Sequence, residues 1–326
     1  MSKIRWGVLS TAKIARNHVI PAIQSSSLGE VVAIASRREE QAHAEAAKLG
    51  IAKAYGSYEQ LLADPDIDAI YNPLPNHLHV PWSIKAMEAG KHVLVEKPVG
   101  LDSADAEKLL QAAREHAHLK VMEAFMYRFH PQWQKARELC ADIGPIRTIQ
   151  CEFAYNNREA DNIRNSAAMG GGALMDIGCY GISLARFLLD AEPLRVVSHM
   201  NLLGYEVDAI SQALMVFEQG SASFNCSTKT EGGQWVEAVG ENGSLRIHVP
   251  FNPIGDTETR LTLKQNGATQ AITIGPANHY RAMADHFCDA ILHNKPVPTT
   301  LEDALANMRV LDAIVASAKE QCWKTL

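Results

Sequence analysis

The first 122 residues alternate short apolar runs of strand type with stretches of helical spacing. Strands are expected over 4–9, 31–35, 67–71, 92–97 and 119–122. Helices are expected over 12–25, 39–49, 80–89 and 103–117, the last capped by Asp102 or Ser103. A capping-box pattern, Ser57-Tyr58-Glu59-Gln60, opens a further short helix. Successive strands separated by helices pair in parallel, each helix crossing the sheet between them. The fold expected for this half is therefore α/β, a doubly wound parallel sheet.

In such a sheet, ligands bind outside the carboxyl ends of the strands. The first strand runs into Ser10-Thr11-Ala12, followed by Lys13 and Ile14. Small residues let the backbone approach a pyrophosphate, and the helix N-terminus offers free N–H groups. The glycine positions of the usual G-x-G-x-x-G/A fingerprint fall here on Ser10, Ala12 and Ala15. These residues alone fit either a dinucleotide-binding turn or a plain strand–helix turn. The second strand ends at Ser36-Arg37-Arg38. An acidic residue there would favour NAD, whereas a hydroxyl and two guanidiniums suit the 2′-phosphate of NADP. Arg37 and Arg38 as a bare helix start would oppose the helix dipole, so NADP is expected over NAD.

The strand at 67–71 leads into Asn72-Pro73-Leu74-Pro75-Asn76-His77-Leu78-His79, a loop expected over the cofactor. His77 and His79 lack a third ligand in the sequence, so no metal site is expected. The run Val93-Leu94-Val95 stops at Glu96-Lys97-Pro98. Lys97 stands where a lysine can meet a substrate, and lysine is a side chain whose pKa moves readily on burial. It also fits a surface lysine that ends a buried strand.

Beyond residue 122 the pattern changes. Helices are expected over 131–142, 176–189, 279–293 and 302–320. Strands are expected over 146–155, 196–203, 209–217, 221–228, 236–239, 244–249, 260–264 and 270–274. Consecutive strands joined by tight turns give an antiparallel sheet. The expected organisation is a Rossmann dinucleotide-binding domain at 1–122 and an α+β substrate-binding domain at 123–326, built on a large open sheet. The 302–320 helix is expected to pack back on the first domain.

Composition narrows the partners. At 47% hydrophobic and 21% charged, the 326 residues have an ordinary soluble balance. No stretch approaches the roughly 18 uninterrupted apolar residues of a membrane helix, and Met1–Trp6 lacks a signal-peptide core. A net charge of -6 argues against nucleic acid. The six scattered cysteines fit reduced thiols in a cytoplasmic protein.

The chain resembles the Gfo/Idh/MocA family of pyridine-nucleotide oxidoreductases. The resemblance is carried by Asn76 and His79 in a P-N-x-x-H loop, by Glu96-Lys97-Pro98, by Glu123-Ala124-Phe125-Met126-Tyr127-Arg128, and by Gly170-Gly171-Gly172-Ala173-Leu174-Met175-Asp176-Ile177-Gly178-Cys179-Tyr180. It runs essentially end to end. The likeness is greatest to the branch of aldose (xylose or glucose) dehydrogenases, glucose–fructose oxidoreductase and dihydrodiol dehydrogenases. The inositol dehydrogenase branch usually carries histidine where this chain has Tyr180. The resemblance implies Lys97, Asp176 and Tyr180 as the catalytic set, and a homodimer formed through the open face of the second sheet.

The residues support that chemistry. Asp176 and Tyr180 share a helical face if the helix begins at or before Asp176. Hydride transfer to or from an alcohol or carbonyl needs one proton moved. Tyr180 can move it if an ammonium such as Lys97 favours the phenolate, or Lys97 moves it directly, and Asp176 would orient the substrate hydroxyl or Lys97. Phe125, Arg128 and Tyr280 are candidate substrate residues. The expected activity is NADP-dependent oxidation of an aldopyranose at C1 to a lactone. Sugar–sugar transhydrogenation with bound cofactor, dihydrodiol oxidation, nicotinamide-dependent glycoside cleavage and a non-catalytic nucleotide-binding regulator remain open. The sugar or polyol itself depends on loops such as 156–170 and 250–258. There Asn156, Asn157, Arg158 and Arg164 either meet sugar hydroxyls or face water.

Overall fold

The computed structural model describes residues 3–253, 255 and 257–326, so Met1 and Ser2 of the N-terminal stretch and Ile254 and Asp256 of the 250–258 loop lie outside the described residues. The chain divides into two compact units, Met1–Met126 with Asn278–Leu305, and Tyr127–Ala277 with Ala306–Leu326.

The first unit is the expected parallel sheet. Its strands are β1 (Ile4–Leu9), β2 (Gly29–Ala35), β3 (Lys53–Tyr55), β4 (Ala69–Asn72), β5 (His92–Val95) and β6 (Val121–Glu123). They lie in the order β3-β2-β1-β4-β5-β6, and every pair is parallel. Trp6, Val8 and Leu9 of β1 have no exposed surface, as suits a central strand covered on both faces. β3 was not foreseen, because three half-buried residues carry no periodicity. Ser57 caps its helix through Gln60 N–H, and Asp102, rather than Ser103, caps the next long helix by accepting from Asp105 N–H at 2.8 Å. Opposite charges tie β1 to the start of β4, where Arg5 Nη2 meets Asp68 Oδ1 at 2.8 Å.

The His279–Leu292 helix returns to this unit, as do residues 301–305 at the start of the helix expected there. The His279–Leu292 helix packs Phe287 on Trp6 at 5.6 Å between ring centroids and bonds Asp285 to Ser26. The Leu301–Glu320 helix belongs to the second unit from Ala306 onward. There Ser317 Oγ accepts from Ser198 N–H, and the Ile314 carbonyl accepts from Ser198 Oγ.

The second unit is a nine-stranded sheet of β7 (Ile146–Asn156), β8 (Arg195–Asn201), β9 (Ile210–Val216), β10 (Ser221–Ser227), β11 (Lys229–Gly240), β12 (Gly243–Ile247), β13 (Thr259–Gln265), β14 (Ala268–Ile274) and β15 (Lys324–Thr325). The order is β14-β13-β12-β11-β7-β10-β9-β8-β15. All pairs are antiparallel except β10 with β7. Strand alternation sends Cys151, Phe153, Phe224 and Cys226 to a buried face. Glu152, Ser223, Asn225 and Gln212 line the other, where a depression of about 540 Å³ opens. The Ala167–Leu189 stretch is long and apolar enough by composition to cross a membrane, though Asp176 and Arg186 interrupt it, and it is mostly buried in the protein.

The Pro131–Asp142 helix is capped by His130, whose Nδ1 accepts from Gln132 N–H at 3.1 Å. Burial pushes this histidine down to about 4, and a proton on Nδ1 would abolish the cap. An unfolded histidine titrates near 6.5. Between those values the unfolded chain binds a proton that the native chain does not, so stability is complete above pH 6.5 and falls as pH drops toward 4. His79 and His92 share this window. Denaturant unfolding between pH 7.5 and 4.5 should therefore show falling stability with a shallower slope in His130→Asn, which keeps a capping acceptor without a titrating ring; an unchanged slope would exclude His130.

Candidate functional site

In the first unit the candidate residues collect at the carboxyl ends of β1, β2, β4 and β5, as the sheet order requires. β1 ends at Ser10, whose φ of 76° is the left-handed backbone that glycine adopts in the usual fingerprint. Its hydroxyl accepts from Ala12 N–H at 3.3 Å. The helix over 13–24 then opens with Lys13 and Ile14 and widens into a π-turn at Ala15–Val19. At the end of β2, Ser36 is buried and accepts from Arg38 N–H. Arg38 is held on Gln41 Oε1 at 2.6 Å, and the Arg37 guanidinium lies against the Tyr58 hydroxyl. Both guanidiniums stand exposed beside that strand end. The left-handed Ser10 turn and this paired donor set fit a dinucleotide carrying a 2′-phosphate.

The β4 and β5 loops are braced from below. Asn72 has no exposed surface. Its Nδ2 donates to the His79 carbonyl at 3.0 Å and to Ser83 Oγ at 3.1 Å, and its Oδ1 accepts from Leu74 N–H. The two ring nitrogens of His79 lie 2.7 Å from the Pro98 carbonyl and 2.6 Å from the Leu74 carbonyl. Burial pushes the ring down to about 4, against the pull of those carbonyls. His79 is thus a buried strut joining the Pro75-Asn76 loop to the Lys97-Pro98 turn, rather than a direct contact for a cofactor. Glu96 Oε1 accepts from Tyr71 O–H at 2.6 Å, and Glu96 Oε2 accepts from Lys97 N–H at 3.3 Å. Tyr280 stacks on His18 at 5.1 Å, and burial, with the Glu96 charge, raises its pKa. Phe125 is a core residue, 1% exposed.

In the second unit the helix begins at Ala173, before Asp176, with a π-turn at Leu174–Gly178. π-turns of this kind occur often at functional sites. Asp208 holds the helix start, its Oδ2 accepting from Leu174 N–H at 2.7 Å and from Ser211 O–H at 2.5 Å. Its carbonyl accepts from Ala173 N–H. Gly172 has φ of 114°, and a Cβ there would lie 2.1 Å from Asp208 Oδ1. At Gly181 a Cβ would meet the Phe224 ring at 2.7 Å, so glycine lets the helix settle on β10. Tyr180 is 3% exposed, packed on Phe251, Phe153 and Tyr127 with centroids 5.0, 5.5 and 5.7 Å away. Arg128 bonds Ser183 Oγ at 2.8 Å and lies over the Phe187 ring. Those contacts orient the partly exposed Arg128 side chain.

Two neighbours of Asp176 were missed. Tyr155 O–H donates to Asp176 Oδ2 at 2.5 Å, and Arg164 Nε pairs with the same oxygen at 2.8 Å. Arg164 is thus held on Asp176 while 42% of its side chain stays exposed. The only sequence signal for Tyr155 was an aromatic at the end of a long strand. The loop holding Arg164 had no readable pattern. Asn157 is buried, its carbonyl accepting from Lys229 Nζ at 2.9 Å. Among the described residues no group of three or more His, Cys, Asp or Glu is placed to hold a metal.

A Rossmann unit, joined in one chain to an open-sheet unit carrying Asp176 and Tyr180, defines a two-unit pyridine-nucleotide oxidoreductase. Residues 4–125 match the oxidoreductase family with an NAD-binding Rossmann fold, and residues 133–246 match the GFO/IDH/MocA C-terminal domain. The chain belongs to the Gfo/Idh/MocA family. It is 37% identical to D-xylose 1-dehydrogenase (NADP(+)) 2 of Haloferax volcanii, covering 96% of this chain and 97% of that protein. Among solved structures, a 3-ketoreductase from Actinomadura kijaniata in complex with NADP and TDP-benzene superposes with a TM-score of 0.91 at 30% identity, over 97% of this chain and 98% of that one. Aldose-aldose oxidoreductase from Caulobacter crescentus, complexed with glycerol, gives 0.92 at 25% identity over 100% of both chains.

The Gly172–Asp208 contact yields a direct test. Gly172→Ala should lower stability by about 2–3 kcal/mol through backbone strain and displacement of the helix cap, while cofactor affinity, which depends on the first unit, stays within about twofold. Denaturant unfolding and a fluorescence titration with NADPH measure the two; a wild-type unfolding midpoint would refute the strain.

Proposed function

We propose that this protein is an NADP-dependent dehydrogenase that oxidises an aldopyranose at C1 to the lactone. Tyr180 acts as acid/base, tuned by Lys97, and Asp176 orients the substrate hydroxyl. The observation that carries this reading is the likeness, over nearly the whole length, to an NADP-dependent xylose dehydrogenase in a chain that carries Lys97, Asp176 and Tyr180. Backbone N–H groups of the Ser10–Ile14 turn would hold the pyrophosphate, Ser36, Arg37 and Arg38 the 2′-phosphate, and Pro75 and Asn76 would close over it. Bound there, the nicotinamide supplies the hydride acceptor. Tyr180 takes the proton of the C1 hydroxyl as the C1–H bond breaks, and the ammonium of Lys97 favours the phenolate that can accept it. The same residues run the reverse step by donating that proton to a carbonyl. The 3-ketoreductase likeness supports reduction of a keto sugar as a second reading. The aldose-aldose oxidoreductase likeness supports transhydrogenation with retained cofactor as a third.

The purified protein, given NADP⁺ or NAD⁺ and a panel of aldoses, inositols and diols, should form reduced nicotinamide with an aldose and NADP⁺. Tyr180→Phe should lower kcat by about 10²–10⁴. Turnover preferring NAD⁺ would overturn the 2′-phosphate assignment. Cofactor released only on denaturation, with no free reduced nicotinamide formed, would mark transhydrogenation.

We further propose a cytoplasmic homodimer that pairs the uncovered faces of the second unit's sheet. Six free thiols support the compartment. Leu214, 37% exposed on that face beside Val197 and Trp235, supports the interface. Light scattering should give a dimer mass for the wild type and a monomer mass for Leu214→Glu; an unchanged mass would reject this face.

A further inference from the structure

Asp176 creates an electrostatic difficulty for the chemistry proposed above. Its carboxylate and the Tyr180 phenol share one helical stretch, four residues apart. A carboxylate within a few ångströms opposes ionisation of a phenol, most strongly where water is excluded. Asp176 has only 12% of its side chain exposed, and Tyr180 is 3% exposed. Left alone, Asp176 would hold Tyr180 protonated when the reaction needs it as a base.

The second unit contains a built counterweight. Arg164 Nε lies 2.8 Å from Asp176 Oδ2, the oxygen that also accepts from Tyr155 O–H at 2.5 Å. The loop is fixed at this residue. The Arg164 backbone N–H donates to Asn162 Oδ1 at 3.1 Å. Its carbonyl accepts from Gly172 N–H at 2.9 Å, immediately before the helix. Lys229 Nζ secures the same loop by donating to Asn165 Oδ1 at 2.9 Å. The charge of Asp176 raises the proton affinity of Arg164 most, burial opposes, and the phenols of Tyr155 and Tyr180 add to the rise. The guanidinium is therefore within electrostatic range of both Asp176 and Tyr180. The other charged or titratable groups facing this turn among the described residues include Tyr127 and Arg128, Asp208 at the helix start, and the buried Cys179 thiol, whose Sγ lies 3.7 Å from the Asp176 carbonyl. Arg128 is engaged by Ser183, and Asp208 by backbone N–H groups and Ser211. The thiols of Cys151 and Cys226 are kept neutral by burial.

We propose that Arg164 is a positioning residue that acts through Asp176: by pairing with that carboxylate it offsets the negative charge beside Tyr180 and sets the pH range over which the phenol can accept the substrate's proton. Tyr155 holds the shared oxygen on the side of the guanidinium. This assignment rests on Tyr180 being the acid/base. It differs from a substrate-binding role in leaving ground-state sugar binding nearly untouched.

The test is the pH profile of kcat for the NADP⁺-dependent oxidation in Arg164→Gln, Arg164→Lys and wild type, with Tyr180→Phe as control. Arg164→Gln is expected to lower kcat about tenfold at neutral pH and to move the rising limb upward by about one pH unit, with KM for the sugar changed less than about threefold. Arg164→Lys, which keeps the charge, is expected to return most of the limb toward wild type. Thermal unfolding and NADPH titration identify any variant that misfolds, and the lysine variant then supplies the comparison with wild type. A limb that does not move in Arg164→Gln, or an effect confined to KM, overturns the proposal. If Tyr180→Phe retains wild-type turnover, the acid/base reading itself falls. If Tyr180→Phe is inactive while the Arg164→Gln profile matches wild type, only the role of Arg164 falls.

Discussion

The carboxylate of Asp208 at the start of the 173–189 helix fixes the geometry of the second unit's candidate site. It takes Leu174 N–H and Ser211 O–H, while its backbone carbonyl takes Ala173 N–H. Helix starts leave orphan N–H groups, and an acidic side chain there is favoured both as an acceptor and by the helix dipole. The cap locks the first turn, and the π-turn that follows places Asp176 and Tyr180. Gly172 and Gly181 make this possible by removing side chains from where Asp208 and Phe224 must sit. The aromatic cluster of Tyr127, Phe153 and Phe251 then leaves the Tyr180 ring little freedom.

The first unit solves a similar problem with neutral groups. Its strand-end loops carry the residues expected to meet a dinucleotide, and loops at a ligand site need bracing that does not consume the residues offered to the ligand. Asn72 and His79, both buried, provide it. Asn72 ties β4 to the following helix, and His79 links the Leu74 and Pro98 carbonyls. Burying polar groups without partners is costly; both polar atoms of the Asn72 amide have partners, and the His79 ring, with one N–H when neutral, donates to one of the two carbonyls it lies against. Glu96 is likewise held by Tyr71, so the Glu96-Lys97 pair rests on a fixed base.

Much of the candidate site was legible because its chemistry is local. Strand ends, helix starts and small-residue turns sit next to one another in the chain, so Ser10–Ile14, Ser36–Arg38, Glu96-Lys97 and the Asp176–Tyr180 spacing could be found by reading along it. Phe125, Arg128 and His79 were placed in contact roles because their motifs stand beside such features. The structure puts Phe125 in the core, Arg128 on Ser183 and Phe187, and His79 between two carbonyls. Motif membership does not say which way a side chain points.

The sequence by itself determined the two-part organisation, the parallel sheet of the first unit, the antiparallel character of the second and the helical face shared by Asp176 and Tyr180. Each of these follows from periodicity and turn chemistry within about twenty residues, where local sterics and burial decide. Only the tertiary structure decided that the His279–Leu292 helix returns to the first unit, that the two-residue β15 closes one edge of the large sheet, and that Asp176 is clasped by Tyr155 and Arg164. Those outcomes join segments far apart in the chain. They are selected by packing and charge complementarity among surfaces that exist only once the sheets have formed, and no spacing along the sequence encodes them.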